Sequence, residues 1–255
     1  MDQIFTLIDG SLHSNHTFIA SHYPSSTTFF GESSDGRTKS HLLASASLFM
    51  CGHLHQLFAG LGNKLHGLHR TEDTLEIELG DMKIHKMFRI IVVDHDLISF
   101  RDFKAGDLEI PVMITNPKDF EGAMPSKEPL QRIRKSTHIR FMVFNSTLIA
   151  SIDVFVDGFK SVSLVERIDK SMWAIEWQPF KLDQNKTHTI GISVKDIMNV
   201  TGSHTIRFNF QEKSFEPTKG VGENIILSNL PNMVNYNPEI DYFYFSSSRY
   251  SLLDM

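Results

Sequence analysis

Apolar and polar positions change rhythm along this chain near residue 115. Before it, short apolar runs alternate with loops rich in glycine and histidine. Residues 17–21, "TFIAS", read as a short buried strand ending at "HYPSS". Residues 38–46, "TKSHLLASA", combine helix formers with an apolar stripe and lead into a strand, "SLFMC". Thr74 to Leu79 alternates with period two, which predicts a half-exposed strand, and Gly80-Asp81 makes a turn. Lys86 to Val93 predicts a longer strand. Strand, helix, strand and then a meander implies an α/β layer finishing in antiparallel strands.

Between Thr115 and Lys135 three prolines and mixed charge break the pattern, as a linker would. Beyond it, "HIRFMVF", "IASIDVFVDG", "MWAIEWQP", "HTIGISVKD" and "HTIRFNF" alternate in turn. Turn signals at Asp157-Gly158, Gln178-Pro179, residues 184–186 and residues 201–203 separate them. Short strands at this spacing predict a small β-sandwich, with Trp173 and Trp177 sharing a face with Ile175 in its core. The tail is aromatic and weakly charged without a clear period. It reads as an edge strand packing back or as disorder, and disorder is the expectation because unpartnered chain ends fray.

Composition narrows the classes. The chain has 255 residues, 41% hydrophobic and 22% charged, as an ordinary globular protein of one or two domains would. A net charge of -5 argues against a nucleic-acid partner, which usually requires a basic stripe. No apolar run approaches the roughly 18 residues of a membrane span, and the first residues do not read as a signal peptide. The single cysteine, Cys51, has no intramolecular disulfide partner and is expected to be a small buried hydrophobe. Asn15, Asn145, Asn185 and Asn199 each begin a glycosylation acceptor tripeptide, which leans towards a luminal or extracellular face.

Ten of the thirteen histidines precede residue 100, so the candidate chemistry lies in the first region. In "FMCGHLHQLF", His53 and His55 are one residue apart. On an extended backbone their rings point the same way and can serve one metal at about 2.1 Å, or two close metals. A polar turn after a buried strand is the alternative. Gly52 suits a tight strand exit. His22 ends another predicted strand, and Pro24 keeps Tyr23 extended. Two parallel strand ends would point both histidine groups into one crevice. Asp94-His95-Asp96 reads as a polar strand end, and His66, His69 and His85 as solvated loop or strand-edge residues.

Ser21-His22-Tyr23-Pro24, then Gly52-His53-Leu54-His55 about thirty residues later, resembles the last two motifs of the calcineurin-like metallophosphoesterases. "HSNHT", "HYPSS", "MCGHLH", "TLEIELGD", "VVDHDLISF", "ITNP" and "STHIR", in that order, resemble its transmembrane protein 62-like branch. The resemblance runs from about residue 10 to 210. It implies an α+β chain: a partial α/β metallophosphoesterase sandwich over 1–115, a linker over 116–135, an all-β immunoglobulin-like sandwich over 136–212 and a tail over 213–255. It also implies a centre of two divalent metal ions, with His22 and His53 on one and His55 on the other, and a phosphate ester substrate attacked by a bridging hydroxide. The parent would be membrane-anchored, with the sandwich luminal or extracellular and no membrane span in this chain. The family's earlier motifs, Asp-x-His, Gly-Asp-x-x-Asp and Gly-Asn-His followed by an acid, do not occur. The expectation is therefore a truncated family member that carries only the last histidine ligands and is inactive alone. The alternative is a non-catalytic binding or structural module based on the sandwich, with a pseudoenzyme remnant beside it.

Overall fold

Two neighbouring strands can run parallel only when a crossover of a dozen or more residues joins them. The first part of the chain is built on such a connection. The computed structural model describes residues 1–10, 14–28, 30–55, 65–211, 220–228 and 243–246. It divides into a unit of Met1–Met87 with Glu216–Met255 and a unit of Phe88–Phe215.

In the first unit, α1 (Asp2–Gly10) precedes β1 (Thr17–Ala20), and α2 (Lys39–Ser45) lies on the crossover to β2 (Leu48–Cys51). β3 (His66–His69) and β4 (Thr74–Glu78) follow as a hairpin, turning at Asp73 with φ +53°. β1, β2 and β4 run parallel, with Phe18 opposite Leu48 and Leu48 opposite Leu75. A tail strand, Phe243–Ser246, pairs antiparallel with β1, so the sheet order is tail strand, β1, β2, β4, β3. Of the tail expected to be disordered, 220–228 and 243–246 are ordered elements or their flanks, and the remainder lies outside the described residues. α3 (Val221–Leu227) packs on β3, where Gly67 admits Leu227. A Cβ there would stand 2.8 Å from Leu227 Cγ.

α2 starts because Thr38 precedes it and His41 reaches back, its Nδ1 accepting the Thr38 N–H at 3.1 Å. Leu42 and Leu43 bury against Phe5, Ile8, Ile19 and Phe49. The pattern of Ile4, Phe5 and Ile8 marks α1 as amphipathic, an element the reading of the sequence missed. β4 corrects a second expectation. All five of its residues are buried, Glu76 and Glu78 included, so it is not half-exposed.

In the second unit, β5 (Met87–Asp94) and β6 (Leu97–Lys104) form a hairpin. His95 and Asp96, at φ +52° and +64°, are both in the left-handed region, the two-residue turn conformation that matches the right-handed twist of the flanking strands. β7 (Val112–Asn116), β8 (His138–Val143), β9 (Ile149–Val156), β10 (Phe159–Lys160), β11 (Val165–Arg167), β12 (Met172–Glu176), β13 (His188–Asp196) and β14 (Thr201–Phe208) make two antiparallel four-stranded sheets. Their orders are β11-β12-β8-β7 and β10-β9-β13-β14. Alternate residues from both sheets, among them Phe141, Ile175, Ile190 and Phe208, form the core. Ile175 is fully buried. The two tryptophans flank it half-buried, with Trp177 edge-on to Phe208 at 5.6 Å.

The sandwich starts earlier than the proline pattern suggests. β7, which begins inside the expected first domain of 1–115, pairs with β8, Val112 opposite Val143. The expected linker, 116–135, is packed structure with two 3₁₀ turns, Phe120–Gly122 and Leu130–Lys135. Phe120, Met124 and Ile133 are buried. Buried Glu128 accepts the Ile98 and Met124 N–H groups at 2.6 and 2.8 Å and pairs with Lys118 at 3.0 Å. Asp94 is structural, as its strand-end reading implies. It binds His95 Nδ1 at 2.6 Å, Thr115 Oγ1 at 2.7 Å and Arg140 Nε at 2.8 Å. Burial pushes its pKa up, but these bonds outweigh burial and hold it below the usual value.

One close approach tests this packing. The Ile110 N–H donates to Thr201 O at 3.0 Å, and a Cβ on Gly202 would meet Ile110 O at 2.0 Å. Gly202→Ala is expected to cost roughly 1–3 kcal/mol or more. Gly191→Ala, whose Cβ meets Thr205 Oγ1 at 3.4 Å, should cost under about 1 kcal/mol. Urea unfolding followed by tryptophan fluorescence measures both, since Trp173 and Trp177 are the chain's two tryptophans.

Candidate metal centre

Parallel pairing of β1, β2 and β4 puts their carboxyl ends on one sheet edge, where open α/β sheets place ligands. Three backbone bonds extend the pairing past the strands. Ser21 N–H donates to Met50 O at 2.8 Å, Gly52 N–H to His22 O at 3.1 Å and Leu79 N–H to Cys51 O at 2.9 Å. The loops carrying His22, His53 and Asp81 therefore leave side by side.

Two acidic residues of β4 fix these loops. Glu76 lies on the same pleat as Ile19 and Phe49. Its Oε1 accepts the Ser25 N–H at 2.7 Å; its Oε2 accepts the Ser25 hydroxyl at 2.5 Å and lies 2.7 Å from His69 Nε2. Lys39 of α2 holds the same loop, donating to Ser25 O at 2.6 Å. Glu78 Oε1 accepts the Leu54 N–H at 2.5 Å and the His55 N–H at 3.0 Å. Burial raises the Glu78 pKa, against the lowering effect of its hydrogen bonds. His69, expected to be solvated, is largely buried on Glu76. Cys51 is buried as its residue type suggests, with Sγ 3.8 Å from Glu76 Oε1.

His22 and His53 meet. His53 Nδ1 and His22 Nε2 are 3.1 Å apart, and the Tyr23 ring lies against both, at 4.8 and 4.3 Å between centroids. Burial lowers the His53 pKa, and repulsion from His22 and His55 adds to it, so the neutral, metal-binding form is favoured. Two imidazole nitrogens this close can both reach one ion at about 2.1 Å, so the donor chemistry fits a divalent metal.

His55 does not join them. Its φ of +56° puts it in the left-handed region, and its Nδ1 faces Asp81 Oδ2 at 3.1 Å. His85 Nδ1 bonds the same oxygen. The expectation that His53 and His55 point one way assumed an extended backbone, whereas Glu78 draws Leu54 and His55 into a turn. Gly52 is likewise not required by crowding, since a Cβ there would meet only Leu79 O at 3.8 Å. Asp81 and His85 went unrecognised in the sequence, where Asp81 read as a turn and His85 as a solvated residue. Their four-residue spacing after "TLEIELG" was the available signal. Asp81 is held down to about 2, first by the Ile84 N–H and then, against burial, by His85.

Residues 106–214 match the family described as TMEM62 Ig-like domain. Over 196 residues the chain is 36% identical to Transmembrane protein 62 of Mus musculus, an alignment covering 77% of this chain and 29% of that protein. These similarities support the transmembrane protein 62 family. The β7–β14 sandwich falls within the matched Ig-like domain. The chain spans less than a third of the length of the curated relative it matches. Among solved structures it is similar to the endo-beta-1,4-mannanase from Thermotoga petrophila, at 16% identity and a TM-score of 0.31. That match covers 40% of this chain and 20% of the mannanase, too slight a likeness to bear on the fold. Among the described residues no helix is long and apolar enough to cross a membrane.

Each glutamate should control its own loop. Glu76→Ala is expected to speed hydrogen exchange of the Ser25 amide by roughly tenfold or more, leaving Leu54 and His55 protected. Glu78→Ala should do the reverse. Amide exchange resolved by residue checks both.

Proposed function

We propose that this chain carries the histidine edge of a divalent-metal centre for phosphate-ester hydrolysis, and that alone it turns over no substrate efficiently. The observation that carries the reading is the 3.1 Å approach of His53 Nδ1 to His22 Nε2 at the carboxyl edge of a parallel sheet. His22 and His53 hold one ion, and Tyr23 covers the pair. A bound divalent ion supplies Lewis acidity towards a phosphoryl oxygen and lowers the pKa of bound water. The carboxylate and amide ligands of the family's earlier motifs are not in this sequence. That lack supports the inactive assignment.

The parent protein is membrane-anchored in this reading, with the Ig-like domain on the luminal or extracellular side. Exposure of all four acceptor asparagines, Asn15, Asn145, Asn185 and Asn199, supports it. A second reading, a non-catalytic binding module with a pseudoenzyme remnant, is favoured by one segment of the sandwich. Phe159, Val162 and Leu164 are 79, 100 and 78% exposed there, more apolar exposure than a solvated strand edge needs.

Metal content separates the readings. After loading with Zn²⁺ or Mn²⁺ and dialysis, His22→Ala/His53→Ala should lower bound metal by about one ion per chain. Equal content in wild type and variant contradicts the ligand assignment. Wild-type hydrolysis of an aryl phosphate should stay at the level of the metal ion alone. A metal-dependent rate lost in the double variant would show that the chain is active.

A further inference from the structure

The geometry points to a second metal site, separate from the His22/His53 pair, in which His55, Asp81 and His85 bind a single Zn²⁺-class ion. One ligand atom from each residue lies within 4.8 Å of the other two. In a tetrahedral zinc site the ligand atoms stand about 3.4 Å apart, and His55 Nδ1 is already 3.1 Å from Asp81 Oδ2. The two imidazoles that would close on the ion are only part-buried, their side chains 37% and 31% exposed, which leaves the rings room to adjust.

The backbone under these ligands is fixed before any ion arrives. Glu78 accepts the His55 N–H, so the left-handed turn that sets this ring against Asp81 is anchored from β4. Asp81 accepts the Ile84 N–H with its other carboxylate oxygen, and the Met87 N–H bonds Asp81 O at 3.2 Å, closing the turn that presents His85. Such preorganisation reduces the ordering cost of binding.

Donor type selects the ion. Two imidazoles and one carboxylate suit Zn²⁺ with a fourth position open to water, whereas Mg²⁺ and Ca²⁺ favour all-oxygen shells. The bound ion ties the β2 exit loop to the turn after β4. It thereby stiffens the segment that carries His53, and it does so whether or not His22 and His53 take an ion of their own.

Co²⁺ titration of the full chain, read by the visible absorption of four-coordinate cobalt and its bleaching by Zn²⁺, tests this. The band should form in wild type and in His22→Ala/His53→Ala. Asp81→Asn, which keeps an acceptor for Ile84, and His85→Ala should each weaken it by more than about a hundredfold, since even an outer-shell partner is worth 10–100-fold. His85→Cys should restore binding and add a sulfur-to-cobalt charge-transfer band, which a variant that merely misfolds cannot produce. No band in wild type, or a band indifferent to Asp81→Asn and His85→Ala, overturns the proposal. A band abolished by His22→Ala/His53→Ala overturns the separation of the two sites, and one lost only in part there supports both.

Discussion

Two buried carboxylates on one strand dictate the first unit. Glu76 and Glu78 lie on β4 with almost no solvent exposure. A buried carboxylate without donors costs several kcal/mol or gives up its charge. The donors come from the loops that leave the other two parallel strands: Ser25 after β1, Leu54 and His55 after β2. The histidine loops take their shape from satisfying β4. His22 and His53 meet, and His55 turns away, as consequences of that requirement.

The same logic works with different residues in the second unit. Its core is apolar and built from two sheets, but its polar seams hold Asp94, Glu128 and Asp196, each buried and each bonded to several groups. Asp196 accepts from Thr147 Oγ1 at 2.5 Å and from the Met198 and Val200 N–H groups at 2.9 Å each, shaping the turn into β14. Buried acids therefore mark the places where loops are held in both units.

The sandwich strands were legible because each is short, alternates and ends at a turn signal, as β8, β9, β12, β13 and β14 do. β1, α2 and β2 were legible for the same local reasons. Exposure of β4 was not, because Glu76 and Glu78 alternate with apolar residues just as solvated glutamates would. Only the donors arriving from residues 25 and 54–55, far away in sequence, show that they are buried. β7 and the packed 116–135 segment were hidden by prolines that end regular elements without preventing burial. At the site, the meeting of His22 and His53 could be foreseen from two parallel strand ends. The partners of His55 could not, since they depend on a turn set by Glu78 and on a hairpin entry that places His85 beside Asp81.

The central claim is that β4 sorts these histidines into two groups, His22 with His53 and His55 with His85. Imidazole ¹⁵N–¹H correlation spectra of the full chain during a Zn²⁺ titration test it most directly. The account predicts that His22 and His53 shift as one group and that His55 and His85 shift together as another, over a different range of Zn²⁺. Concerted shifts of His22, His53 and His55, with His85 unmoved, would contradict it.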